Sequence, residues 1–146
     1  MIYILEEPRS RTYEGLISMA FRVCDEFILV KKDQLTLTPA TEALAERLKP
    51  YIKTVKKQDA WPGTQLFGHY ADVYYFDCQP PLEKLILESA EGLYEWVWPN
   101  LLEDLCFLKG GQPWLVNIAH EHEAWIKTDD REEILQFRGI EGLMLY

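Results

Sequence analysis

Cysteine is scarce and dispersed. Three residues, Cys24, Cys78 and Cys106, form an odd set with no C-x-x-C pair, which points away from a disulfide framework and from a sequence-local zinc site. A reducing cytoplasm suits such usage. No apolar run approaches the roughly 20 residues of a membrane span. The opening MIYILEEPRSR has four apolar residues after Met1 before Glu6 and Glu7, too few for the core of a secretory signal, so no targeting segment is expected. Serine occurs only at Ser10, Ser18 and Ser89, none within G-x-S-x-G. Positive charge is also in deficit: 15 Lys and Arg against 24 Asp and Glu leave a net charge of −9. Binding to nucleic-acid backbones and to anionic membrane surfaces draws on Lys and Arg, so both partners are disfavoured, and a basic or mixed-charge protein partner is favoured.

The deficit is not evenly spread. Residues 1–76 hold ten acids and ten bases, and the remaining residues hold fourteen acids and five bases. Seven of the 15 basic residues fall between Lys31 and Lys57, so the charge is dipolar along the chain. With 146 residues and 48% hydrophobic content, one domain spanning 1–146 is expected, long enough to bury a substantial core.

Tyr13, Leu16, Ile17, Ala20, Phe21 and Cys24 recur at helical spacing, with Ser10 or Thr12 as the cap. Glu26 to Lys31 is too short for a helix, and its apolar run reads as an interior strand. Thr38-Pro39 opens a second helix that Pro50 stops. Tyr51 to Lys57 reads as a weak or edge strand, where lysine discourages unwanted pairing. Trp61-Pro62-Gly63 is a turn, followed by strands at Gln65 to Phe67 and Ala71 to Asp77. Pro80-Pro81 open a long helix through Leu93 to Val97, ended by Pro99 and Asn100. Leu105 to Leu108 and Trp114 to Ala119 flank a Gly-Gly turn as a hairpin, Ala124 to Lys127 adds a strand, Thr128 caps a last helix, and Ile140 to Tyr146 closes as a strand. The sum is an α+β domain with about four helices packed on one mainly antiparallel sheet of five to seven strands.

The most unusual stretch is Leu93 to Ile126, with four of the five tryptophans and two of the three histidines. On one unbroken strand, His120 and His122 would share an apolar face and could serve a metal-dependent hydrolase together with nearby carboxylates. HEHE is not the helical H-E-x-x-H, however, and a rim turn at His120 to Glu123 is the simpler reading. Adjacency in sequence does not establish the cleft geometry of a glycosidase for the carboxylate pairs Glu103/Asp104 and Glu121/Glu123, and Glu103 and Asp104 read as solvating a loop. Gly110-Gly111 lacks the lysine and serine of a phosphate loop. Trp96 and Trp98 lie two apart at a helix end and cannot both face a buried stripe, which suggests an exposed binding ring beside Pro99. The candidate binding residues are therefore Trp96, Trp98, Asn100, His120, Glu121 and His122. No metal, cofactor or catalytic residue is assigned, and a non-enzymatic interaction protein is the leading expectation.

Trp61-Pro62-Gly63-Thr64, together with WPN-x-x-EDLCFLK, PWLVN and IAHE between Leu93 and Glu121, resembles a family of small uncharacterised cytoplasmic proteins of spore-forming bacteria, some labelled as sporulation-related. That resemblance implies a soluble cytoplasmic domain and carries no activity or site residue with it. In size, acidity and tryptophan content the chain is also similar to immunity proteins of bacterial toxin systems.

Overall fold

The EFILVKK segment forms an interior strand of the sheet. In a computed structural model describing residues 1–146, this strand, β2 (Glu26–Lys32), has neighbours on both edges, as its continuous apolar run requires. Phe27 and Leu29 join the large core cluster on one face, and Ile28 and Val30 join a smaller cluster on the other. The remaining strands are β1 (Ile2–Tyr3), β3 (Ile52–Gln58), β6 (Ala71–Asp77), β7 (Glu103–Lys109), β8 (Gln112–Ile118) and β9 (Glu123–Ile126), with a separate hairpin of β4 (Ala60–Trp61) and β5 (Thr64–Gln65). The main sheet runs β1-β9-β8-β7-β2-β6-β3, and every pairing is antiparallel.

Four helices cover the Phe27 face: α1 (Arg11–Val23), α2 (Pro39–Leu48), α3 (Pro80–Ser89) and α4 (Arg131–Arg138). The expected α+β class is the observed one. No helix is long and apolar enough to cross a membrane. Phe27 stands at the centre of an aromatic cluster, 4.9 Å from Phe76 in a stacked pair, 5.5 Å from Phe21 and 5.6 Å from Phe107 between ring centres. Such pairs add about 0.5–1.5 kcal/mol each beyond the area they bury.

The opposite face is covered only in part, by the β4–β5 hairpin. Trp61 inserts into the Ile28, Val30, Val73 and Cys106 cluster. Gly63 turns the hairpin at φ +84°, where a Cβ would lie 2.8 Å from Val116 and 2.9 Å from Ile118, so only glycine allows the approach.

Several local expectations are corrected. The helix opened by Pro80-Pro81 stops at Ser89, not near Val97. The Ser89 hydroxyl donates back to Leu85 O at 2.6 Å, and Ala90 is extended. Glu91 and Gly92 instead pair with the Arg9–Ser10 backbone, with Ser10 N donating to Glu91 O at 2.7 Å, before a 3-10 turn at Leu93–Glu95. Ser10 stands at the N-cap of α1 without accepting a side-chain cap bond, and Thr12 Oγ1 donates to Glu141 O. The cap of α4 is Asp130, whose carboxylate accepts from Glu133 N at 3.1 Å. β5 ends at Gln65, short of Phe67. Residues 140–146 form no full strand, and a single bridge joins Leu145 to Ile4. By contrast, Thr38 and Thr41 build the reciprocal capping box of α2 with Pro39 at its first turn.

Glu133 ties α4 to the sheet. Its carboxylate accepts from Trp114 Nε1 at 2.7 Å and from Thr128 Oγ1 at 2.8 Å, and it pairs with Lys109 Nζ. Burial alone would raise its pKa, but the bonds from Lys109, Trp114 and Thr128 outweigh burial and hold it below the ordinary carboxylate value. A carboxyl with a depressed folded pKa contributes stability above its unfolded value, about 4.3, and loses it as pH falls through the lower folded value. Glu133→Gln is therefore expected to flatten the acid side of a urea-midpoint profile below about pH 5; an unchanged acid slope would remove Glu133 from this role. Phe27→Ala, which empties the centre of the aromatic cluster, is expected to cost about 3–5 kcal/mol in urea denaturation.

Candidate functional site

One carboxylate joins the segments that carry most of the nominated residues. Asp104 is fully buried at φ +56°, a left-handed conformation that Asp tolerates better than most residues. Its Oδ2 accepts from Trp61 Nε1 at 2.9 Å, and its Oδ1 accepts from Ala119 N at 3.2 Å. Its own N–H donates to Trp96 O at 3.0 Å. The β4–β5 hairpin, the histidine-bearing turn and the tryptophan segment thus meet at one residue, the first two through its carboxylate and the third through its backbone N–H. Glu103 is also buried, with Lys32 Nζ 3.1 Å from its Oε2. Neither acid solvates a loop, contrary to the sequence reading.

His120 and Glu121 lie on a 3-10 turn, Ala119–Glu121, and His122 follows it in a left-handed conformation at φ 55°. All three are exposed. The histidines do not share an apolar strand face, because the chain turns between Ile118 and Glu123. The His122 ring stacks on Tyr94 with centroids 5.1 Å apart and planes 19° apart, and Asn117 Nδ2 donates to Leu93 O below them. The two margins of the Leu93 to Ile126 stretch therefore meet, through Tyr94 and the Trp96 carbonyl.

The tryptophans divide. Trp96 is completely buried, its indole donating to Tyr13 Oη at 3.0 Å while that hydroxyl donates to Ile86 O. Its side chain belongs to the core. Trp98 is the exposed ring, at 38%, yet its indole N–H is satisfied by Thr36 O at 2.7 Å. Thr38 Oγ1 donates to Pro99 O at 2.8 Å, so the turn carrying Trp98 and the exposed Asn100 is held to the segment before α2. Of the six nominated residues, the structure gathers His120, Glu121 and His122 at one end, places Trp98 and Asn100 together against the segment before α2, and withdraws the Trp96 side chain.

Sequence reasoning missed the groups surrounding the histidine turn. Glu7 Oε2 accepts from Tyr94 N at 2.8 Å, and Arg9 bridges Glu7 at 3.0 Å and Glu95 at 3.2 Å. Burial first, then Glu7 and Glu123, raise the Tyr94 phenol to about 12, so it remains neutral. Glu121 and Glu123 are exposed, with only His120 Nε2, at 3.7 Å, near Glu121. No signal in the sequence links Glu7 to Tyr94, 87 positions apart.

The candidate nucleophiles are masked. Burial pushes the Cys24 and Cys106 thiols well above their ordinary value, and burial followed by Asp25 and Asp77 raises Cys78 to about 12, so the reactive thiolate is suppressed at all three. No group of three or more His, Cys, Asp or Glu side chains is arranged to hold a metal ion. What the histidine end offers is an exposed, acidic, partly aromatic surface suited to contact.

Burial raises the Asp104 pKa, and the Trp61 bond only partly offsets it. Removing the carboxyl would strand two buried donors, each costing about 1–3 kcal/mol. Asp104→Ala is expected to lower the unfolding free energy measured in urea by that order and to speed hydrogen exchange at Ala119 and across the β4–β5 hairpin. Unchanged exchange at both places would show that Asp104 does not join them. No protein-family model, curated protein or solved structure matches this chain.

Proposed function

We propose that the chain is a small acidic interaction protein without enzymatic activity, of immunity or sporulation type, that acts in the cytoplasm by binding a basic or mixed-charge protein. One observation carries this reading: Lys53 and Lys57 on the basic strand β3 are each held between two carboxylates, whereas Glu121 and Glu123 at the histidine end have only His120 nearby. Lys53 lies between Glu26 at 2.9 Å and Asp77 at 3.1 Å, and Lys57 lies 2.8 Å from both Asp33 and Asp72. Two of the three lysines of β3 are thus neutralised, and the third, Lys56, lies over the Tyr75 ring. Glu121 and Glu123 have no comparable counter-ions, and they add to the excess of acid in the second half of the chain.

Exposed charge of one sign steers a partner of opposite sign and contributes more to association rate and specificity than to affinity. The exposed His122 ring, held by stacking on the buried Tyr94, supplies a rigid surface within that field. The masked thiols and the structurally engaged Asp104 and Glu133 support a binding role over a chemical one.

Affinity capture from native lysate, followed by binding measurements with the purified partner, tests the reading. A basic protein is expected whose affinity falls by roughly tenfold in Glu121→Lys/Glu123→Lys and falls steeply with salt, as rim electrostatics require. Equal affinity of the reversed variant for the same partner would exclude this end as the contact.

A further inference from the structure

The second face of the sheet is covered at its centre and bare at one edge. The β4–β5 hairpin ends over Val116 and Ile118. Beyond them, Trp125 pairs with Val116, Tyr3 pairs with Trp125, and residues 144–146 lie outside β1, with Tyr3 N donating to Tyr146 O at 3.0 Å and Leu5 N to Met144 O at 2.8 Å. Alternation then fixes the faces. Ile2, Ile4 and Leu145 join the main core. Tyr3, Leu5, Met144 and Tyr146 point to the opposite side with Trp125 and Glu123. They are exposed at 44%, 56%, 46% and 85%.

Two cross-strand rows result. One runs Tyr146, Tyr3, Trp125, with the last two rings 6.0 Å apart. The other runs Met144, Leu5, Glu123. A contiguous apolar patch of this kind on a soluble domain marks an interaction site, whereas isolated exposed apolar residues do not. Aromatic and Met side chains are also the types enriched at the centre of protein contacts.

We infer that this face is the apolar centre of the docking surface, and that its occupant is a different protein presenting an apolar or aromatic centre rimmed by Lys and Arg. The inference rests on the interaction reading above and extends it, since Glu123 belongs both to the histidine end and to the second row. Charge selects the occupant. Exposed Glu123 stands in the second row, exposed Glu6 follows Leu5 and exposed Glu121 lies two residues before Glu123, with Lys127 beyond Trp125. A second copy of a chain with net charge −9 would set those carboxylates against their own kind. An anionic lipid surface would meet the same repulsion. A basic rim turns that repulsion into attraction, while the aromatic row supplies the desolvated core.

The test places a photo-crosslinking phenylalanine analogue at position 3 or, as a control, at position 55 on the far sheet edge, where Val55 is 46% exposed. The full chain is irradiated in native lysate and the adduct is identified by mass spectrometry. The expected result is an adduct with a protein of net positive charge from position 3 and none from position 55. With that protein purified, Tyr3→Ser and Met144→Ser should each weaken binding by roughly tenfold, the loss of a central anchor, while Val55→Ser leaves it unchanged. Both substituted residues are exposed, and an unaltered melting temperature verifies the fold. A partner that is sensitive to Glu121→Lys/Glu123→Lys but indifferent to Tyr3→Ser and Met144→Ser would overturn this face and leave the interaction reading standing. An adduct with a second copy of the chain, or co-sedimentation with phosphatidylcholine vesicles abolished by Tyr3→Ser, would overturn the assigned occupant. No adduct at position 3, together with no partner captured by the wild-type chain, would overturn both.

Discussion

A single buried carboxylate holds the second face of this protein together. Asp104 sits at the entry to β7 in a left-handed conformation, and its two oxygens and one N–H reach the Trp61 indole, the Ala119 amide and the Trp96 carbonyl. Each group would be a costly unpaired polar atom without the others, because none has solvent to fall back on. The hairpin that covers the Ile28, Val30 and Val73 cluster, the turn that presents His120 and His122, and the segment that delivers Trp96 to the core therefore depend on one another.

The helix-covered face is built differently. There the organising element is the Phe21, Phe27, Phe76 and Phe107 cluster, which is apolar throughout, while the polar groups of Trp96 and Trp114 are satisfied at its borders by Tyr13 and Glu133. Large aromatic rings can be buried on both sides of the sheet because each indole N–H finds an acceptor. The contrast has a functional corollary. With four helices on one face and a short hairpin on the other, the sheet is left bare beside β1 and β9, where aromatic residues reach the surface next to acidic ones.

Expectations based on neighbouring residues held at some elements and were shifted by a few residues at others, whereas those needing distant residues failed. Thr38-Pro39 announces the start of α2 because a capping box closes within three residues. The apolar run Glu26 to Lys31 marks an interior strand because burial on both faces leaves no room for alternation. The long helix expected after Pro80 fails at Ser89, because pairing of Glu91 and Gly92 with Arg9 and Ser10 ends it, and that pairing is invisible in local periodicity. The cap of α4 shifts from Thr128 to Asp130 for a milder reason: Thr128 instead accepts from Asp130 N and donates to Glu133, supporting the cap from outside. For the candidate site, exposure of the His120 to Glu123 turn was legible, whereas the roles of Tyr94, Glu7 and Asp104 required the fold.

By itself, the sequence determined the α+β class, the charge imbalance and the existence of most elements, because periodicity, composition and local capping act over a few residues. Only the tertiary structure decided which tryptophan is core and which is surface, that Glu103 and Asp104 are buried, and that Tyr3, Trp125 and Tyr146 line one row. The physical reason is the same in each case. Burial and pairing are set by contacts between residues far apart in the chain, and Tyr3 meets Tyr146 only because the sheet brings both ends of the sequence to the same edge.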